Sequence, residues 1–150
     1  MKPNRWALSL VATMICLLAF ASENSAQEDR WLNYFPSVAR LNGKLIQVTK
    51  YGYPTYGAEP DKDEAVEVPI LVLQKPIRVR PKPDSISNSE WITNVSFVQL
   101  IFSDDNNATV KRYLDHEIVV AGTLSIGKRM GQFTEVVMTV KAVNPTGKPF

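Results

Sequence analysis

The sequence predicts an all-β domain with one short helix. The fold class is a five-stranded Greek-key barrel of the OB-fold type, in the order β-β-β-α-β-β, after an N-terminal signal peptide. Three observations lead there. Glu117–Ile126 (EIVVAGTLSI) alternates apolar and small residues along its whole length. The first strand changes its apolar phase beside a glycine, as a strand bent to serve two sides of a barrel does. The helical pattern falls between the third and fourth strands, where an OB-fold carries its helix.

In Glu117–Ile126, residues Ile118, Val120, Leu124 and Ile126 share one face with Gly122 in the same row. Val119, Ala121, Thr123 and Ser125 share the other. Period two with β-branched residues means a strand, and one fully apolar face means a core beneath it. A glycine inside such a strand marks a bend, a bulge or a close backbone approach.

The first 26 residues read as a signal peptide. Lys2 and Arg5 precede the apolar run Trp6–Phe20, which is shorter than a membrane span. Small and polar residues follow, and Ala26 suits the last position before cleavage. Cys16, the one cysteine, lies in this run, so the mature chain has none. Export without disulfides points to a bacterial periplasmic or secreted protein that folds on its core alone, with no stable membrane insertion after cleavage. The whole chain carries a net charge of +2, and losing Lys2, Arg5 and Glu23 lowers it by one. So small a charge supplies no long-range field, which argues against a nucleic-acid partner.

Residues 27–36 (QEDRWLNYFP) form a lead-in whose Trp31, Leu32, Tyr34 and Phe35 tuck against the body. The domain proper runs over residues 37–143. Its first strand is Ser37–Thr49, with Leu41, Gly43 and Leu45 on one face and Ile46 and Val48 on the other. This switch predicts a bulge near Gly43. Lys50–Ala65 is a loop rich in Gly, Pro and Tyr with an acidic end. Val66–Val79 is the second strand, and Pro69 and Pro76 require edges or bulges where they fall. A polar connection, Arg80–Ser89, leads to the third strand within Trp91–Ser103. There Val98, Leu100 and Phe102 share one face, and Val95, Phe97 and Ile101 the other.

Asp104–His116 reads as a short helix opened by an Asp or Asn cap, with Val110, Tyr113 and Leu114 at helical spacing. Glu117–Ile126 is the fourth strand, Gly127–Phe133 a hairpin loop, and Thr134–Val143 the fifth strand, with Val136, Met138, Val140 and Ala142 on one face. Residues 144–150 read as a frayed tail.

A set of short motifs resembles an uncharacterised family of small secreted bacterial domains, domain-of-unknown-function family 4431. They are Leu41-Asn42-Gly43-Lys44-Leu45, Tyr56-Gly57, Leu71-Val72-Leu73 leading to Pro76-Ile77-Arg78-Val79, Val98-Gln99-Leu100, and Val119-Val120-Ala121-Gly122-Thr123-Leu124, closed by Thr134–Val140. Relatives often carry histidines in the last hairpin; Gly127–Phe133 has none, so no metal role transfers. The resemblance implies the fold and an envelope location, and no activity.

Catalytic and metal constellations are not apparent, and no cofactor is expected. His116 is the one imidazole, between a helix end and a strand start, where a solvated turn is the simpler reading. Zinc needs several His or Cys ligands. Asp61, Asp63 and Glu64 lack the EF-hand register, because the sixth position from Asp61 is Val66 rather than glycine, and a solvated acidic loop is expected. Arg78, Arg80 and Lys82 read as a solvated edge that resists strand pairing. The candidate binding residues lie in two loops: Tyr51, Tyr53 and Tyr56 in the first, Lys128, Arg129, Met130 and Phe133 in the last. In an OB-fold these loops flank the ligand face. Aromatic and cationic side chains there suit contact with another protein, or stacking on sugar rings. The expectation is a non-enzymatic module that binds another envelope protein, as an inhibitor or an immunity-type neutraliser of a toxin or hydrolase. An envelope glycan is the alternative ligand.

Overall fold

A computed structural model describes residues 31–83, 86, 88–102 and 107–146. Residues 1–26, expected to be a signal peptide, residues 27–30 of the lead-in, the expected helix cap and the last four residues lie outside that set. Trp31–Phe150 forms one unit. Its elements are β1 (Trp31–Asn33), β2 (Val38–Tyr51), β3 (Ala65–Arg80), β4 (Ile92–Ile101), the helix α1 (Asn107–Tyr113), β5 (Glu117–Ile126) and β6 (Val136–Pro145). Among the described residues the fold is mostly β with one short helix, and all six strands belong to one sheet in the order β1-β3-β2-β5-β6-β4.

The five long strands pair in a closed circuit, because β3 also pairs with β4. The ladders β2–β3, β3–β4, β2–β5 and β5–β6 are antiparallel, and β4–β6 is parallel. Closure leaves Leu41, Leu45, Leu71, Val98, Leu100, Ile118, Val120, Leu124, Val136 and Met138 in one buried cluster. The alternation within each strand is what aims these side chains inward. α1 lies between β4 and β5 and contributes buried Val110, while Tyr113 packs on the core.

The phase change in β2 is real but is not a bulge. Residues Ala39, Leu41, Gly43 and Leu45 are buried, and then Ile46, Val48 and Lys50 become the more covered set. Both ladders run through this region without a shift, Gly43 facing Leu73 on one side and Ile118 on the other. The pairing with β5 ends at Lys44, so beyond it β2 has only β3 beside it and a new face is covered. Gly43 answers a different need. A Cβ there would stand 2.2 Å from the Val72 carbonyl oxygen, so only glycine lets these backbones approach.

Bulging occurs instead between β5 and β6, at Ala121–Gly122 as that glycine predicts, and between β3 and β4. The register shifts between Val72 and Ile77, and Pro76 lies in that gap, where its missing N–H breaks no ladder bond. Pro69 lies just before Ile70, where the β3–β4 ladder begins. The same irregularity corrects the facing of β4. Val95 is buried with Val98 and Leu100, whereas Phe97 is exposed, because the ladder slips between Val95 and Phe97. Asn94, next to Val95, has a positive φ of 60°.

The lead-in contributes a sixth strand to the expected five. Trp31, Leu32 and Asn33 pair in parallel with Arg78, Val79 and Arg80. Tyr34 is fully buried, and the N–H groups of Tyr34 and Phe35 donate to Arg80 O and Leu124 O. Phe35 is exposed rather than tucked. At the other end β6 continues through Asn144 and Pro145, which pair with Val119 and Ile118.

Candidate binding cleft

The connection from β2 to β3 is organised by one carboxylate. Asp63 Oδ1 accepts the Thr55 N–H at 2.7 Å and the Thr55 hydroxyl at 2.8 Å, and Oδ2 accepts the Gly57 N–H at 2.6 Å. The Thr55 hydroxyl oxygen accepts the Glu59 N–H at 2.8 Å. At the neck, Gly52 N–H donates to Glu64 O at 2.7 Å, and Glu64 N–H to Tyr53 O at 2.9 Å. Tyr56 and Gly57 turn the chain with φ of 52° and 99°, a left-handed pair in which glycine is at ease and tyrosine is uncommon. A 3-10 turn, Pro60–Lys62, returns the chain to Asp63.

Desolvation pushes the Asp63 pKa up, but the hydrogen bonds from Gly57, Thr55 and Tyr56 outweigh it and hold the carboxyl below its ordinary value of 3.8. The expected solvated acidic loop is therefore corrected at this residue. Asp63 is half-buried and folds back on its own loop, whose donors occupy both its oxygens. Among the described residues no group of three or more His, Cys, Asp or Glu is placed to share a metal ion.

The connection from β5 to β6 is held by Gln99 of β4. This side chain is buried, and its amide donates to Gly131 O at 3.0 Å while its carbonyl accepts the Phe133 N–H at 2.7 Å. Gln99 N–H donates to the Thr134 hydroxyl at 2.9 Å, and that hydroxyl donates to Val136 O at 2.7 Å. A buried amide needs partners for both ends, and one hairpin loop supplies them.

These two connections face each other across a cleft of about 360 Å³. Tyr53, Tyr56 and Phe133 line it, together with Val66, Val68, Gln99, Glu64 and Glu67. Three of the seven candidate residues are thus brought together. The other four are not among its lining residues. Tyr51 closes β2 and is exposed, with its ring beside Gly57. Lys128 pairs with Glu90 of the β3–β4 connection. Arg129 N–H donates to Gln132 Oε1 at 2.8 Å within its own loop, and Met130 projects into solvent.

Sequence reasoning missed Asp63 and Gln99, the two residues that shape the cleft. Gln99 left a signal: an amide inside the apolar run Val98–Ile101 must be paired or costly. His116 is exposed, with Nδ1 2.7 Å from Leu114 O, in the turn before β5. Compared with known proteins, the chain matches no family model and no curated protein.

Proposed function

We propose that the chain is an exported, non-enzymatic binding module that contacts another protein of the bacterial envelope through the tyrosine cleft. In its concrete form it neutralises a toxin or hydrolase acting in the envelope, as an inhibitor or immunity-type protein. One observation carries this reading: Tyr53, Tyr56 and Phe133, from connections distant in sequence, line a single open cleft. Each connection is held by internal hydrogen bonds, so little freedom remains to be lost on binding. Aromatic side chains at the centre of a preformed site are the usual anchors of protein contacts.

The circuit of β2 to β6 is a five-stranded barrel of the OB type, with β1 as an addition. Its support is the combination of a parallel β4–β6 ladder, a helix between β4 and β5, and β3–β4 closure. In such a barrel the β2–β3 and β5–β6 connections flank the ligand face. The motifs resembling family 4431 agree with that fold and with an envelope location.

The test is capture from an envelope extract with the wild-type chain and with Tyr53→Ala. A stoichiometric protein retained by the wild type and lost with the variant supports the proposal. Retention on peptidoglycan or another glycan, lost with the same variant, favours the sugar reading. Capture that ignores Tyr53 overturns both.

A further inference from the structure

The far end of β3 carries a second cleft of different chemistry. It is an open cleft of about 820 Å³, lined by Asn33, Arg80, Lys82, Pro83, Ser89 and Trp91, with Pro81 between the two cations. We propose that this cleft binds an anionic sugar, by stacking the ring on Trp91 and holding the negative charge with Arg80 and Lys82.

The indole is built as a platform. Trp91 is 60% exposed, yet it is braced by Trp31 in an edge-to-face contact, ring centroids 5.0 Å apart at 79°. Trp31 is in turn covered by the Arg78 guanidinium, 5.0 Å from its ring centroid. A cation over one ring and an edge-to-face neighbour fix both indoles by their own packing. A large aromatic surface left in water but held still offers area for stacking at a small entropic cost.

The cations are placed by the same ladder. Asn33 and Arg80 are partners across β1 and β3, and Arg80 Nε donates to Asn33 Oδ1 at 3.2 Å. That bond sets the plane of the guanidinium before any ligand arrives. Arg80 presents a planar fork suited to carboxylate or phosphate, and Lys82 adds a second positive charge. Asn33 and Ser89 supply an amide and a hydroxyl, the groups that pair with ring hydroxyls. An indole face, two cations and neutral polar groups in one cleft match a ring that carries both hydroxyls and a negative charge. A long polyanion such as nucleic acid would need a longer track of positive charge than this cleft provides.

The test uses the full-length protein in titration calorimetry. The probes are trigalacturonate for a carboxylate source, glucose 6-phosphate for a phosphate source, fully methyl-esterified trigalacturonate as the neutral ring, and citrate as the ringless anion. One charged sugar, or both, should bind with a single saturable site, at least tenfold tighter than the neutral ester and than citrate. Trp91→Ala should abolish binding, Arg80→Gln should weaken it about tenfold, and Tyr53→Ala should leave it unchanged. Absence of saturable binding by both charged sugars overturns the proposal. So does equal binding of citrate, or affinity that survives Trp91→Ala. Loss with Tyr53→Ala would assign the sugar to the other cleft. Far-ultraviolet dichroism of each variant separates loss of the site from loss of the fold.

Discussion

The side-chain carbonyl of Gln99 accepts the Phe133 backbone N–H at 2.7 Å, tying the β5–β6 hairpin to the C-terminal part of β4. The same amide donates to Gly131 O, so one side chain replaces two hydrogen bonds that this turn of backbone cannot make for itself. Gln99→Leu keeps the volume and removes both. Buried groups left without partners cost about 1–3 kcal/mol, and that is the expected loss in urea unfolding. Hydrogen exchange at Phe133 should quicken at the same time. An unchanged exchange rate there would mean that the loop is held by something else.

Gly122 faces a harder constraint than its place in an alternating strand implies. A Cβ at this position would stand 2.3 Å from Thr139 O and 2.8 Å from Met138 Cγ. The register of β5 and β6 shifts between Ala121 and Gly122, where the strands draw together. Gly122→Ala must push a backbone carbonyl, which does not yield as a side chain does. The predicted cost is about 1–3 kcal/mol by overpacking. A chemical melt with an unmoved midpoint would contradict the close approach.

Asp63 makes the tyrosine connection sensitive to acid. Its folded-state pKa lies below the ordinary 3.8, so its contribution is fully present above that value and is lost as pH falls through the lower folded one. Exchange of the Thr55 and Gly57 amide protons should therefore stay slow, relative to free-chain rates, at neutral pH and lose protection in acid below 3.8. Asp63→Asn should abolish protection at one of these amides already at neutral pH, because its NH2 end donates and cannot accept. Equal protection in the variant would show that the carboxylate is not the organiser.

Tyr34 gives an alkaline counterpart. Burial, with smaller effects from the charges of Glu90 and Glu135, pushes its phenol up from 10.0 to about 12. The folded state then holds a proton that the unfolded chain releases. Its share of stability is complete below pH 10.0 and is lost as pH rises through about 12. An ultraviolet titration should show one tyrosine ionising last, near pH 12, and Tyr34→Phe should delete that step. A last step that persists in the variant would assign it to another tyrosine.

For the proposed protein contact, Tyr53→Ala or Tyr56→Ala should weaken binding by about 2 kcal/mol, or about thirtyfold. Arg80→Ala, at the other end of β3, should change it little. Surface plasmon resonance with the captured partner checks both. The opposite ranking would move the contact to the basic end.

What could be read in advance followed from local pattern. Glu117–Ile126 has the bounds of β5 because its alternation is unbroken and both ends are polar or glycine. The helix was legible for the same reason, through Val110 and Tyr113. What escaped depends on distant neighbours. Trp31–Asn33 is too short to show a period and exists because β3 offers an edge for it. Phe97 looked equivalent to Val95 until the slip at Pro76 separated them. The site followed the same rule. Tyr53, Tyr56 and Phe133 stood out by residue type, whereas Asp63 looked like any surface acid until its donors were known. Trp31 and Trp91 are far apart in sequence and meet only because β1 and β4 flank the same end of β3.

The parallel β4–β6 ladder has a kinetic consequence. While a ribosome has yet to release residues 136–145, β4 and β5 each present an unpaired edge toward the place β6 will fill. In the folded chain the two edges do not pair with each other, and without β6 the hydrophobic cluster is missing Val136, Met138 and Val140. The chain therefore gains its cooperative structure late, in a single closure that joins remote segments, and topologies dominated by remote pairings fold slowly. During that interval the two open edges are the segments most exposed to chaperones and to mispairing with another copy. A chain truncated before Val136 should accordingly be degraded by added protease at a rate close to that of an unfolded peptide, and the chain that includes Val136–Pro145 should resist it.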